Sequence, residues 1–378
     1  MTVMKLQGII IKSVLCFALF LAAGSFAGCD AELALKDKFS GDFLVGAALN
    51  YDQISGLEPK ETAIIVRHFN TITPENILKW QAVHPERDKY DFEPADKYVA
   101  FGKKHKMFIV GHTLIWHNQT PQWVFRDESG NPVSREVLLE RMKEHIFAVV
   151  GRYKGRINGW DVVNEAVTDE GQLRQSEWLE IVGEDYIEKA FEYARQADPD
   201  AELYYNDYNM FRQGKRERVV RLVKELRAKG VDIDGIGMQG HWNLYYPPLD
   251  EIEASIKAFA ELGVKVMITE LDISVLPSIY EYKEVDISLD AELQKKLNPY
   301  PDALPDEMQD KLAKRYAELF TVFHEHREQI SRVTFWGVYD GQSWLNYLFG
   351  HRRTDYPLLF DRQYQPKPAF DAVIKFDK

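Results

Sequence analysis

The sequence predicts a (β/α)8 barrel, the TIM-barrel architecture of the α/β class. Eight short apolar runs recur along the chain, amphipathic helical patterns separate them, and polar residues cluster where the runs end. Short continuous apolar runs are typical of strands that are buried on both faces. Eight strand–helix units in succession favour one closed barrel domain.

The predicted strands are rich in β-branched and other apolar residues. They cover residues 43–49, 70–73, 107–113, 157–163, 202–205, 235–239, 265–269 and 332–338. An open, doubly wound sheet is the alternative arrangement for alternating strands and helices. It is disfavoured because no glycine-rich phosphate loop follows the first run.

The predicted helices place apolar residues on one stripe. They cover residues 135–153, 215–229, 249–262 and 306–330, with a closing helix at 367–376. Gly230 is suited to end the second of them. Residues 275–305 form an unusually long connection with several prolines, and loops of that length are often functional. We expect this connection at the rim of the barrel face that carries the active site, as a structural flap or as a substrate contact.

The N-terminus predicts an export signal over residues 1–28, followed by a barrel domain over residues 29–378. Lys5 and Lys12 precede a short apolar run, residues 13–23, and small residues follow that run. Cleavage before Cys29 would give a lipoprotein, and cleavage after Ala27 an ordinary secreted protein. We therefore expect an exported protein, either a cell-surface or periplasmic lipoprotein or a secreted one. Cys16 leaves with the signal, so the mature chain has no pair of cysteines for a disulfide.

Charge and motif spacing exclude several classes of function. The net charge is −12, which disfavours nucleic acid and anionic membrane surfaces as partners. His112 and His117 do not have the spacing of a helical zinc motif, and we predict no metal. No feature of the sequence implies an obligate protein partner.

Polar residues at the predicted strand ends point to chemistry, because barrel active sites lie at the carboxyl ends of the strands. Glu165 and Glu270 each follow an apolar run, the fourth and the seventh. A glutamate at the end of a buried strand is costly to ionise unless it is paired or functional. A structural salt bridge at the top of the barrel is the alternative for either glutamate alone. Together, the two carboxylates match the needs of glycoside hydrolysis, with one proton donor and one nucleophile or base.

The neighbouring residues fit these roles. Asn164 is placed to hold a sugar 2-hydroxyl, and His241 is placed to hydrogen-bond Glu270 and keep it ionised. Lys79 and His112 are placed to bind hydroxyls of the sugar beside the cleaved bond. A buried structural histidine and a solvated lysine are the alternatives for His241 and Lys79.

At these motifs the chain resembles glycoside hydrolase family 10, a family of barrel endo-β-1,4-xylanases. The resemblance extends from about Phe43 to Phe376 and rests on seven stretches in order. They are Thr73-Pro74-Glu75-Asn76 with Lys79-Trp80, Gly111-His112-Thr113-Leu114-Ile115-Trp116-His117, Trp160-Asp161-Val162-Val163-Asn164-Glu165, Asn206-Asp207-Tyr208-Asn209, Gly237-Met238-Gln239-Gly240-His241, Ile268-Thr269-Glu270-Leu271-Asp272 and Phe335-Trp336-Gly337.

The resemblance implies a retaining endo-β-1,4-xylanase with Glu165 as acid/base, Glu270 as nucleophile and no cofactor. Its substrates would be xylan and xylo-oligosaccharides. The resemblance implies that Glu75, Asn76 and Gln119 bind the distal glycone sugar, and that Lys79, His112 and Asn164 bind the sugar at the cleavage point. Trp336 and Trp344 would form walls beside that sugar, and Tyr208 and Asn209 would lie toward the aglycone. The other implied substrate-binding residues are Trp116, Gln239 and His241. The alternatives are a β-1,4-glucanase on the same barrel and a non-catalytic glycan-binding barrel.

Overall fold

Eight parallel strands close into a barrel in the computed structural model, which describes residues 33–279 and 291–375. Each strand pairs with its successor, and the last pairs with the first, where Val333 lies opposite Val45. The strands are β1 (Leu44–Leu49), β2 (Thr71–Pro74), β3 (Phe108–Ile115), β4 (Gly159–Asn164), β5 (Glu202–Asp207), β6 (Gly235–Met238), β7 (Lys265–Ser274) and β8 (Ile330–Phe335). The predicted fold class and all eight strand positions are therefore confirmed.

Two smaller β elements lie outside the barrel wall. His241–Asn243 follows β6 and pairs in parallel with the carboxyl-terminal part of β7. Tyr347–Leu348 and His351–Arg352 form a short antiparallel hairpin after β8. Both elements follow barrel strands, so they belong to the face where barrel active sites lie.

Helices fill the connections between strands. The α-helices are Leu35–Lys38, Tyr51–Ser55, Pro59–His68, Trp80–Val83, Glu93–Lys104, Arg135–Arg152, Glu177–Val182, Tyr186–Ala197, Gln213–Ala228, Leu249–Ala260, Ala291–Leu297, Asp306–Glu325 and Pro368–Ile374. Short 3-10 helices occur at Gln122–Val124, Asp340–Gln342 and Trp344–Asn346.

Local sequence explains where the long helices begin and end. The Ser134 hydroxyl accepts a hydrogen bond from the N–H of Val137 and caps Arg135–Arg152. Gly230 has a φ of +81°, and its N–H donates to the carbonyl of Arg227, so it ends Gln213–Ala228 as the sequence predicted. The apolar stripe predicted for the first of these helices is buried, through Leu138, Met142, Ile146 and Val149.

One predicted boundary is wrong. The helix predicted at residues 306–330 ends at Glu325, and Ile330 instead begins β8 and pairs with Val266. Its apolar side chain fits the helical spacing, but sheet pairing places it in the barrel wall.

Irregular strand pairing occurs next to the polar strand ends. The register shifts between His112 and Ile115 on β3, and between Ile268 and Leu271 on β7. Such irregularities redirect side chains and are common beside active sites. Glu270 lies within the second of them.

The long connection after β7 packs against the segment after β8. Its described parts are residues 275–279 and 291–305, and they include Ala291–Leu297. A small apolar group, here called the outer cluster, joins the two segments through Ile279, Leu297, Leu345 and Leu348. The side chain of Arg353 donates to the carbonyls of Pro277 and Leu297, at 2.7 and 3.3 Å.

None of the helices within the described ranges is long and apolar enough to cross a membrane. The predicted export signal and Cys29 lie outside the described residues.

Candidate active site

Glu270 is buried in the wall of the site and bound by a cation and an amide. Its side chain is 6% exposed. His241 Nε2 lies 3.1 Å from Oε2, and the Asn206 side-chain N–H donates to Oε1 at 2.8 Å. Burial acts to raise the pKa of Glu270, but hydrogen bonding to His241 and the nearby charges outweigh it and lower the pKa. The arrangement therefore favours an ionised Glu270.

His241 is held protonated between two carboxylates. Its Nδ1 lies 3.0 Å from Oδ1 of Asp272, and Trp344 Nε1 donates to the other oxygen of Asp272 at 2.8 Å. Burial acts to lower the pKa of His241, but Asp272 and Glu270 raise it to about 10. His241 is therefore a fixed positive charge beside Glu270 at neutral pH.

Glu165 differs from Glu270 because, among the described residues, the groups that donate to its carboxylate are neutral. Trp116 Nε1 donates to Oε2 at 2.9 Å, and Gln239 Nε2 donates to Oε1 at 2.9 Å. Asn164 Nδ2 lies 3.3 Å from the same Oε1. Glu165 is partly exposed, so its carboxyl group has access to the cleft.

The backbone of Glu165 is also held in an uncommon conformation. Its φ is +58°, in the left-handed region that non-glycine residues rarely adopt. Its N–H donates to the carbonyl of Asn206, and its carbonyl accepts from Arg174 Nε at 2.8 Å. These two bonds fix the direction in which the side chain leaves the end of β4.

Three amide side chains connect the two glutamates. Asn206 Nδ2 donates both to Glu270 and to Asn164 Oδ1, and the second bond is 3.0 Å long. Gln239 Nε2 lies 2.9 Å from Glu165 and 3.4 Å from the same Asn164 oxygen. The two carboxylates therefore belong to one hydrogen-bonded network that spans β4, β5, the end of β6 and β7.

A glycine makes room for this network. A Cβ atom at Gly237 would lie 2.4 Å from Oδ1 of Asn206 and 2.7 Å from Thr269. That oxygen already accepts a hydrogen bond from the Thr269 hydroxyl at 2.6 Å. A side chain at this position would displace Asn206, and with it the amide that binds Glu270.

A lysine and two polar residues lie together at the end of β2. Lys79 Nζ donates to Asn76 Oδ1 at 2.9 Å and lies 4.9 Å from the centre of the Trp116 ring. Burial lowers the pKa of Lys79, while Glu270, Glu75 and Glu165 act to raise it. This lysine therefore faces the three carboxylates of the site at once. Gln119 lies at the edge of this group, with Nε2 3.5 Å from Asn76 Oδ1.

Glu75 is the third carboxyl group on this side. Burial raises its pKa, and the charge of Lys79 and hydrogen bonds from Asn76 and Gln342 act against the rise. Glu75 lies between the end of β2 and the segment after β8, where Gln342 is located. Gln342 is absent from the residues that the sequence predicted.

His112, Trp336 and Trp344 surround the glutamates from β3 and β8. His112 is buried with Nδ1 2.9 Å from Asp161 Oδ2, and its ring lies 5.5 Å from that of Trp336. Trp344 packs edge-on against His241, with ring centres 4.9 Å apart. The two tryptophans therefore form walls beside the glutamate network.

Tyr208 and Asn209 lie on the far side of Glu165, after β5. Arg174 donates to the Tyr208 hydroxyl at 2.6 Å, and the ammonium of Lys215 lies 3.7 Å from the centre of its ring. Lys215 pairs with Asp207 at 2.7 Å, and both side chains are fully buried. This support orients Tyr208 along the wall of the cleft.

Comparison with known proteins identifies the family. The sequence profile described as Glycosyl hydrolase family 10 matches residues 34–376. The chain belongs to this family.

Two endo-1,4-beta-xylanases match this chain along nearly their whole length. The chain is 48% identical over 341 residues to endo-1,4-beta-xylanase A of Xylanibacter ruminicola, covering 90% of this chain and 92% of that protein. It is 45% identical over 348 residues to an endo-1,4-beta-xylanase of Geobacillus stearothermophilus, and the match covers 92% of this chain and 99% of that protein. The fold matches a family 10 endoxylanase retrieved from a sugarcane soil metagenome with a TM-score of 0.86 and 46% identity, covering 92% and 100% of the two chains.

A second similar structure carries a ligand. It is a mutant solved in complex with xylotriose, with a TM-score of 0.81 and 39% identity, and the match covers 91% of this chain and 99% of that one.

The predicted catalytic and substrate-binding residues of this family 10 chain lie in the carboxyl-terminal parts of the barrel strands or in the segments that follow those strands. The structure links Glu165, Glu270, Asn164, Gln239 and His241 in one network, and Lys79, Asn76 and Gln119 in a neighbouring group. Sequence reasoning did not assign the supporting residues Asp161, Arg174, Asn206, Asp272 and Gln342. The strand-end position of Asp161, Asn206 and Asp272 was the available signal.

Across the described parts of the chain, residues 33–279 and 291–375, no group of three or more His, Cys, Asp or Glu side chains is placed to hold a metal ion. The polar groups of the site are carboxylates, amides, the imidazole rings of His112 and His241, and the ammonium of Lys79. This set suits proton transfer and nucleophilic attack at an acetal carbon.

Proposed function

We propose that this family 10 chain is an endo-1,4-β-xylanase that cleaves internal xylosidic bonds with retention of anomeric configuration. The observation that carries the proposal is the contrast between the two glutamates. Glu270 is buried beside the protonated His241, whereas Glu165 is partly exposed and its hydrogen-bond donors within the described ranges are neutral. The names of the relatives, and the xylotriose complex of one similar structure, support xylan and xylo-oligosaccharides as substrates.

In the first step, the Glu270 carboxylate attacks the anomeric carbon while protonated Glu165 donates its proton to the leaving oxygen. The C–O bond to the leaving sugar breaks, and a covalent glycosyl ester forms on Glu270. In the second step, Glu165 takes a proton from water, the water oxygen attacks the anomeric carbon, and Glu270 is released. Two inversions give net retention, and this course requires carboxyl groups about 5–5.5 Å apart.

The surrounding residues have defined roles in this proposal. His241 keeps Glu270 ionised before attack and stabilises it as a leaving group in the second step. Asn164 is placed to bind the sugar 2-hydroxyl, a contact that strengthens in the transition state. Lys79 and His112 bind hydroxyls of the sugar at the cleavage point. Trp336 and Trp344 limit the space beside that sugar.

The remaining predicted residues bind sugars farther from the cleaved bond. Glu75, Asn76 and Gln119 lie on the side of Lys79, where we propose the distal glycone sugar. Tyr208 and Asn209 lie on the side of Arg174, where we propose the aglycone.

Proton NMR of early products from xylohexaose tests the proposal. We expect β-anomers to appear before mutarotation, and short oligomers rather than xylose alone. Early α-anomers would contradict double displacement. Faster hydrolysis of carboxymethyl cellulose than of xylan would contradict the substrate assignment and favour a glucanase.

We further propose that the chain is exported and that Cys29 is its lipidated first residue. The support is the positive flank and apolar run of residues 1–28. Mass spectrometry of the mature N-terminus tests this, with a diacylglyceryl mass on Cys29 expected. Loss of the mass in a Cys29→Ser variant is the control, and an unmodified N-terminus would instead indicate a secreted protein.

A further inference from the structure

A cavity with a basic lining opens beside the outer cluster. Its volume is about 540 Å³, within the range of about 300–1,000 Å³ that is typical of small-molecule sites. Among the parts of the chain that the structure describes, the lining residues are Gln294, Lys295, Leu297, Asn298, Pro299, Pro301, His351, Arg352 and Arg353. The first six follow β7 and the last three follow β8, so the cavity belongs to the active-site face of the barrel.

The charge of this lining contrasts with that of the whole chain. The chain has a net charge of −12, yet none of the described lining residues is acidic, and Lys295, Arg352 and Arg353 are cationic. Lys295 and Arg352 are exposed, and neither forms an ion pair with another residue of the described ranges. Both are therefore available to an anionic ligand.

Arg353 and His351 also line the cavity, and each has buried polar atoms. Arg353 is buried and donates to the carbonyls of Pro277 and Leu297, so it joins the two segments that form the cavity. His351 Nε2 is buried and has no hydrogen-bond partner within residues 33–279 and 291–375. An unpaired buried nitrogen costs free energy, which a ligand hydroxyl beside it would recover.

An exposed aromatic ring lies next to the cavity. Tyr347 is 63% exposed, and the guanidinium of Arg352 lies 5.8 Å from the centre of its ring. Tyrosine combines an apolar face with a polar tip. Beside cationic donors, such a ring suits the apolar face of a sugar that carries a charged group.

The cavity shares its support with the active site. Leu297 lines the cavity and belongs to the outer cluster, against which Trp344 packs. Trp344 in turn donates to Asp272, the partner of His241. A polysaccharide chain lying against Trp344 therefore passes beside the cavity.

We propose that this cavity is a secondary subsite for a carboxylate-bearing sugar branch of the polymer, a uronic acid linked to the xylan backbone. Lys295 and Arg352 pair with the carboxylate, Tyr347 covers the ring, and His351 binds a hydroxyl. An isolated carboxylate fits the site, whereas a polyanion would be repelled by the acidic chain around it. The assignment of the polymer rests on the proposed function, and the assignment of a carboxylated sugar rests on the cavity itself.

The test compares glucuronoxylan with the same polymer after its carboxyl groups have been reduced to alcohols. We expect the wild-type protein to show a higher kcat/KM on the native polymer. In a double variant, Lys295→Gln with Arg352→Gln, this preference should fall about 3- to 10-fold, the effect expected for losing partly exposed charge pairs. The preference of the wild type should also weaken as salt is added.

Lys296→Gln is the matched control, because Lys296 is exposed on the same helix and is absent from the described lining. It should keep the wild-type preference, and all variants should hydrolyse linear xylohexaose equally. An unchanged preference in the double variant would overturn the proposal. If xylohexaose is not cleaved at all, the proposed function fails. Calorimetry then measures separately whether the cavity binds a glucuronic-acid-bearing xylo-oligosaccharide. Equal binding by wild type and double variant would then overturn it.

Discussion

The surroundings of the two glutamates are built by opposite means. Glu270 is buried and charge-compensated, with His241 on one oxygen and Asn206 on the other. Glu165 is partly exposed, and its oxygens accept hydrogen bonds from Trp116 and Gln239. A permanent positive neighbour favours a carboxylate that stays ionised, whereas neutral donors and access to the cleft suit a group that must gain and lose a proton. The comparison supports different roles for two residues of the same type.

The strongest way to break this comparison is to remove Glu270. Glu270→Gln keeps the shape of the side chain but deletes the nucleophile. Loss of a general acid–base residue lowers the rate by up to roughly 10⁴-fold. We expect the loss of the nucleophile to lower kcat by more than that. The fall should be equally severe on xylan and on an aryl xylobioside with a good leaving group. Substantial turnover of the aryl substrate would exclude Glu270 as the nucleophile.

Removing Glu165 should give a smaller and substrate-dependent loss. We expect Glu165→Ala to lower kcat on xylan by about 10²–10⁴-fold. With the aryl xylobioside the first step needs no proton donor, so a glycosyl-enzyme should accumulate. Added azide should restore turnover and yield a β-xylobiosyl azide. An α-azide product would show that azide attacks directly in the place of the missing carboxylate, so that Glu165 rather than Glu270 would be the nucleophile.

Removing the positive charge of His241 tests the difference between the two glutamates through the pH dependence of kcat/KM. His241→Asn removes the group that outweighs burial, so the pKa of Glu270 should rise. The acidic limb of the kcat/KM profile should therefore move to higher pH, while kcat/KM at pH 7 falls by roughly 10- to 100-fold. Asp272→Asn should move the limb in the same direction but less far, because it acts on Glu270 only through His241. An unmoved acidic limb in His241→Asn would show that His241 does not control the ionisation of Glu270.

The smallest expected effect is on stability at alkaline pH. The pKa of His241 is raised to about 10 in the folded chain, above the value of about 6.5 in unfolded chains. The resulting stabilisation is complete below the unfolded value and is lost as pH rises toward the folded value. Between pH 7 and pH 10, the Tm of the wild type should therefore fall more steeply than that of His241→Asn. Parallel Tm curves would contradict a protonated His241.

Most of the barrel was predictable from the sequence because each strand contains a short apolar or β-branched segment. Boundaries were less predictable where apolar residues fit two periodicities. Ile330 fits the spacing of the preceding helix, yet it pairs with Val266 in the sheet. The helix Tyr186–Ala197 was not placed, although its buried face is apolar.

The site residues that could be predicted from the sequence are those that directly follow a predicted strand. Glu165 and Glu270 follow apolar runs, so their convergence follows from the fold class alone. The supporting contacts could not be derived in this way. That Asn206 reaches Glu270 depends on the close approach that Gly237 permits, and the bond from Arg174 to Glu165 depends on the path of a loop.

The most direct test of the central claim is to trap the covalent intermediate. A 2-deoxy-2-fluoro-xylobioside with a good leaving group slows both steps, the second more than the first. Mass spectrometry of peptides from the inactivated protein should place one glycosyl mass on Glu270, and Glu270→Gln should remain unlabelled. A mass on Glu165, or continued turnover without any adduct, would contradict the account.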